Sequence, residues 1–199
     1  MRTIITTIVL TITMLYTGVA QDSSYTDYNN WFAGDQLNRS QSVFVAANSV
    51  TILEGSKIKY DGELTEPLIG MYVKKADKEG AYIPRMFIGY SGYAFDTSEE
   101  DRNYVVVETI VDGDKNSIES GTGHVYNDKG FMTIKGAKLF ARLKDGKNVY
   151  VKLSAGNKTK LVIKVDARGF LAGYKHAVKV LNKNANPFNS AKDDNPFKG

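Results

Sequence analysis

Few residues in this chain can do chemistry by themselves. Histidine occurs twice, as His124 and His176, and cysteine not at all. Without cysteine there are no thiolate nucleophiles, no thiolate metal clusters and no redox pairs. A hydrolytic triad needs a base beside a nucleophile and a third group to orient it. No local nucleophile motif accompanies either histidine, so each reads as a surface or hydrogen-bonded side chain; a triad built from distant residues is left open. "DGDKNS", Asp112 to Ser117, opens like a calcium loop with oxygens at Asp112, Asp114 and Asn116. It departs where such loops are strict, with Ser117 at the glycine position and Gly123 at the bidentate glutamate position. It reads as a hairpin turn. "GTGH", Gly121 to His124, lacks the third glycine and the βαβ unit of a dinucleotide site. "TSEEDR", Thr97 to Arg102, reads as a solvated acidic loop, since a glycosidase pair needs one acid in an apolar pocket. The chain is expected to be non-catalytic, without metal or cofactor.

Charge is the more informative property. The chain carries 26 Lys+Arg and 22 Asp+Glu, a net of +4. Residues 21–128 hold 9 basic and 18 acidic side chains; residues 129–199 hold 16 basic and 4 acidic. Either the two halves interleave in space and neutralise each other, or they present separate surfaces to partners. Three runs in the basic half, "AKLFARLKDG", "NVYVKLSAGN" and "KTKLVIKVDA", alternate as strands do, with every second side chain on one face. Leu139, Ala141 and Leu143, then Val149, Val151 and Leu153, then Leu161, Ile163 and Val165 would point inward. Lys138, Phe140, Arg142 and Lys144, then Tyr150 and Lys152, then Lys158, Lys160 and Lys164 would point outward. If the three strands are neighbours, the outer face is a basic sheet with two exposed aromatics. Its candidate contact residues are Lys138, Arg142, Tyr150, Lys152, Lys160 and Lys164. The expected partner is anionic: an envelope polysaccharide, an anionic lipid or an acidic protein. No RNA-binding sheet motif is present, and nucleic acid is not expected. The bland reading is a lysine-coated sheet that resists aggregation.

The elements that position these residues are mostly strands. Runs of 5–8 residues rich in Val, Ile, Tyr and Phe alternate with Gly, Asp and Asn from about Ser42 to Ala167. About nine to ten strands with short connections predict a mainly β domain, an antiparallel sandwich or barrel. Trp31 and Phe32, in a polar and aromatic segment, are expected to plug into the core, because a large indole gains most when buried. One segment has helical spacing instead: Phe170, Leu171, Tyr174, Ala177, Val178 and Leu181. It predicts an amphipathic helix over Ala167–Leu181, capped by the Asp166 carboxylate.

The ends read differently. Arg2, an apolar run from Ile4 to Tyr16 and the small residues Gly18-Val19-Ala20 match a secretory signal peptide cleaved after Ala20. The run is too short for a transmembrane helix, and no later run is long enough, so no span is expected in the mature chain. A periplasmic or secreted location follows. The domain then covers 21–181. Residues 182–199 are too polar to pack and are expected to form a flexible tail. That tail carries Asn186-Pro187-Phe188 and Asn195-Pro196-Phe197, each a pre-bent turn presenting a phenylalanine for docking. Asn38-Arg39-Ser40 and Asn157-Lys158-Thr159 are glycosylation sequons that matter only in a eukaryotic source.

The stretch "AKLFARLKDGKNVYVKLSAGNKTKLVIKVDARGFLAGYKHAV" resembles the C-terminal signature of the invasion-associated locus B family. That signature runs strand, Gly-containing turn, two strands, then "GF" and a short helix, here Gly169-Phe170 leading into Leu171-Ala172. "PLIGMYVKK" and "RMFIGYSGYAF" are similar to its earlier paired strands. The resemblance implies an exported β-sandwich without known catalysis, associated with the cell envelope or host contact, and carries over no catalytic residue. The family's members commonly hold cysteines, which this chain lacks. The expectation is an exported binding protein working through its basic face. The alternative is a periplasmic β-barrel carrying a small apolar ligand in a lumen lined by Tyr and Phe.

Overall fold

The computed structural model describes residues 24–55, 58–60, 63–65, 67–78, 80–89, 104–126, 131–145, 147–155 and 158–184. The expected signal peptide, the acidic stretch Thr97–Arg102, Asn157 of the second sequon and both Asn-Pro-Phe triplets lie outside the described residues.

The strands are β1 (Tyr25–Tyr28), β2 (Trp31–Gly34), β3 (Ser42–Ala47), β4 (Thr51–Glu54), β5 (Ile58–Tyr60), β6 (Glu63–Thr65) and β7 (Leu68–Lys75). They continue as β8 (Tyr82–Gly89), β9 (Tyr104–Val111), β10 (Glu119–Tyr126), β11 (Phe131–Gly136), β12 (Asn148–Ala155) and β13 (Lys158–Asp166). Among the described residues two α-helices accompany them, α1 (Leu139–Lys144) and α2 (Phe170–Lys183). Eleven strands form one sheet in the order β1-β2-β3-β7-β8-β11-β10-β9-β12-β13-β4, and β5 pairs with β6 apart from it. All the pairings are antiparallel.

The connections force this sheet to fold back on itself. β3 is third in the order and β4 is last, yet only Asn48, Ser49 and Val50 join them. Such a link spans at most roughly 14 Å. The two ends of the sheet therefore face one another across a shared core, as in a β-sandwich. β1 and β4 remain unpaired edges, so the sheet is not closed into a barrel. Val45 and Met71 from one wing, Val151 and Ile163 from the other, and Trp31 and Phe170 between them are all fully buried in one cluster.

Trp31 and Phe32 do enter the core, but on opposite faces of β2, as strand alternation requires. The Trp31 ring lies 4.8 Å from Phe170 in an edge-on arrangement, and its Nε1 donates to the Asp166 carbonyl at 2.9 Å. Burying such a ring contributes roughly 5 kcal/mol of transfer free energy. Phe32 joins Phe44, Leu68 and Phe87 in a second buried cluster on the other face of the sheet. Gly70 makes room there: a Cβ would stand 2.8 Å from the Phe87 ring and 2.6 Å from the Val45 carbonyl.

Three sequence expectations change. Residues 139–144 form helix α1, not a strand. The run lacks β-branched residues and is rich in Leu, Ala, Arg and Lys, which favour helix. It follows Gly136, Ala137 and Lys138, all with positive φ (76°, 52° and 44°), which turn the chain out of the sheet before the helix begins. Helix α2 starts at Phe170 rather than Ala167 and runs to Lys183, two residues past Leu181. Asp166 does not cap it: its carboxylate accepts from the Arg168 backbone N–H at 2.9 Å and pairs with the Arg168 guanidinium at 2.6 Å. These hydrogen bonds from Arg168 hold the Asp166 carboxyl below its usual value, against burial. Gly169 takes the cap position with φ +97° and lies against the Tyr28 carbonyl, where a side chain has no room.

Candidate functional site

The outer face of β12 and β13 carries part of the predicted basic surface. Tyr150 stands opposite Lys164, and Lys152 opposite Val162. Lys160, two residues before Val162, falls at a register shift and has no partner across β12. The Lys164 ammonium sits 6.0 Å from the Tyr150 ring centre, within reach of a cation–π attraction. Lys152 is not free: its Nζ lies 2.8 Å from Glu108 on the neighbouring strand β9. Lys160 and Lys164 make no ion pair with the described residues. The face continues across β9, where Tyr104 and Val106 are 57% and 47% exposed.

Lys138 and Arg142 do not belong to this face, because the segment that carries them is not a strand. Arg142 is buried on α1, where its guanidinium donates to the carbonyl and hydroxyl of Ser117. Lys138 sits in the turn before α1 with its Nζ 2.6 Å from Glu119. The hydrogen bond from Lys138 holds the Glu119 carboxyl below its usual value. Both cations thus serve to dock α1 onto the β9–β10 connection.

A second constellation was invisible in the sequence. β1 and α2 bring Tyr28 and His176 together, with the hydroxyl 2.8 Å from Nδ1. On the other side of the ring Nε2 lies 2.8 Å from Asp35 Oδ1. That carboxylate lies off the ring N–H direction, so the contact is electrostatic rather than an aligned hydrogen bond. Asp35 Oδ1 also accepts from Thr26 Oγ1 at 2.7 Å. Which of the Tyr28 hydroxyl and Nδ1 donates depends on the tautomer of the ring. Burial first, and then the Asp35 charge, raises the pKa of the Tyr28 hydroxyl. Nδ1 of His176 is thus engaged by Tyr28, while Nε2 faces Asp35 without an aligned hydrogen bond. The group ties β1 and the β2–β3 loop to α2. Tyr28 and His176 are 148 residues apart, so no local spacing announces them.

Beside this network an open groove of about 560 Å³ runs between α2 and the β2–β3 loop. Asp35, Gln36 and Leu37 line the loop side; His176, Lys179, Val180, Lys183 and Asn184 line the helix side. The loop is held by Asn38, whose Oδ1 accepts from Ser40 N, Ser42 N and Ser42 Oγ at 2.9–3.0 Å.

The other candidates resolve into turns and packing. Asp114 accepts from Asn116 N at 2.9 Å and Asp112 from Asn148 N at 3.1 Å, so both carboxylates serve the backbone. Among the described residues no group of three His, Asp or Glu gathers as metal ligands would. His124 pairs its ring with Tyr104 at 5.1 Å. Among the described residues no helix is long and apolar enough to cross a membrane. Residues 137–178, the stretch read above as similar to the invasion-associated locus B signature, hold helix α1, strands β12 and β13 and the start of helix α2, so the first element of that order is helical here. Comparison with protein-family models, with curated proteins and with solved structures finds no match for the chain.

Proposed function

We propose that the protein is an exported, non-catalytic binding protein of the cell envelope or host interface. It engages an anionic partner through the outer face of β12 and β13. The observation that carries this reading is the group of Tyr150, Lys160 and Lys164, with Lys164 over the Tyr150 ring and neither lysine in an ion pair among the described residues. The helices leave that face open, since their buried side chains join the inner cluster. The apolar leader and the resemblance to the invasion-associated locus B family support an extracytoplasmic setting. Lys152 contributes less than its position suggests, because an incoming anion must compete with Glu108. Among anionic partners a polysaccharide fits a sheet face with an aromatic side chain beside cations.

The test is binding of the purified protein to an acidic polysaccharide in low salt. Lys160→Glu with Lys164→Glu should weaken it at least roughly tenfold, since each basic residue near an anionic surface contributes about 1 kcal/mol. Lys138→Glu should leave it unchanged. Equal affinity in the double variant and the parent would overturn the reading.

A further inference from the structure

The groove between α2 and the β2–β3 loop is separate from the β12–β13 face and has a chemistry of its own. We infer that it is a binding site for a small molecule that carries a carboxylate or phosphate group on a short apolar stem. Lys179 and Lys183 stand one helical turn apart on the same side of α2 and both line the groove. Neither makes an ion pair among the described residues. Like charges at that spacing repel and weaken a helix, so an anion held between them removes a cost the free protein carries.

Two features of the groove oppose an anion, and both are met by neighbouring groups. Asp35 is acidic, but its Oδ1 accepts from Thr26 and faces His176. The last turn of α2 exposes carbonyl groups, whose partial negative charge disfavours an anion. The Val180 carbonyl, however, accepts both the backbone and the side-chain N–H groups of Asn184, at 3.2 and 2.9 Å. Between the polar ends, Leu37 and Val180 offer an apolar floor. The walls are built in advance. Asn38 fixes the loop, and the chain from Thr26 through Asp35 and His176 to Tyr28 fixes the loop to the helix. A site that needs no ordering on binding keeps more of its contact energy as affinity.

The full-length protein is titrated with inorganic phosphate, with butyrate and with uncharged butyramide at constant ionic strength, and backbone amide shifts are followed by NMR. Saturable shifts at Leu37, Lys179, Lys183 and Asn184 are expected with at least one of the two anions. Saturation by phosphate alone assigns a phosphate-bearing ligand, and by butyrate alone a carboxylate. Butyramide should bind several-fold more weakly. Lys179→Gln with Lys183→Gln should lower anion affinity roughly tenfold, the sum expected of two exposed ion pairs, without lowering the melting temperature of the free protein. Shifts that never saturate, shifts centred on Lys160 and Lys164, an equal response to butyramide, or unchanged affinity in the double variant would each overturn the assignment.

Discussion

Tyr28 shows how one side chain can serve two elements at once. Its hydroxyl meets His176 of α2 while its own carbonyl lies beneath Gly169, where the helix begins. Burial and the nearby Asp35 carboxylate raise its pKa above the ordinary tyrosine value. The consequence for stability has a definite sign. In the unfolded chain the phenol ionises near pH 10; in the fold it holds its proton longer. The stabilisation is complete below that unfolded value and is lost as pH rises through the higher folded one. Tyr28→Phe should cost about 1 kcal/mol near neutral pH, the net value of a lost hydrogen bond. It should also flatten the alkaline limb, leaving the part due to Tyr174, whose hydroxyl is raised by burial and by Tyr82. Urea midpoints measured from neutral to alkaline pH test this; parallel curves for variant and parent would show that Tyr28 titrates alike in both states.

At the level of elements, helix α1 is the instructive case. Leu139, Ala141 and Leu143 alternate like a strand, but Leu139, Arg142 and Leu143 also share one side of a helix, and those three are the buried ones. Hydrophobic pattern alone does not choose between the periods over six residues. Composition does, and Ala141, exposed on α1, tests the choice. Ala141→Val should destabilise by roughly 0.5 kcal/mol, as a β-branched residue does in a helix, whereas a strand would gain from it; a denaturation series reads the sign. Strands β12 and β13 were legible because their alternation continues over eight and nine residues, and α2 because its apolar stripe spans four turns. β1 and β2 were not, since four residues each give too little pattern and Trp31 lies among polar neighbours. The basic face was legible in β12 and β13 and misplaced at Lys138 and Arg142 for the same reason that α1 was. The Tyr28–His176–Asp35 group had no signal to read, because the curl of the sheet assembles it.

At the scale of the whole molecule the unequal halves of the sequence interleave. β4 and β9 come from the acidic half and lie against β13 and β12 of the basic half. Glu108 meets Lys152, Glu119 meets Lys138, and Asp35 faces His176, each contact joining one half to the other. Lys138 and Lys152 are thus already paired with the acidic half, and among the described residues what remains for a partner on the sheet face is the pair Lys160 and Lys164. This sets how steeply binding should respond to salt. Each cation that neutralises a linear polyanion releases condensed counterions and steepens the log–log dependence by about 0.8. Two lysines predict a slope of about −1.6, whereas Lys138, Arg142, Lys152, Lys160 and Lys164 acting together would give about −4. A salt series with an acidic polysaccharide distinguishes these values. The shallow slope should fall toward zero when Lys160 and Lys164 are both replaced by Gln, and should not change when Lys138 is. A slope near −4 would mean that the internal pairs open on binding and that the whole basic set is recruited. A shallow slope that survives the Gln replacements would place the contact elsewhere on the molecule.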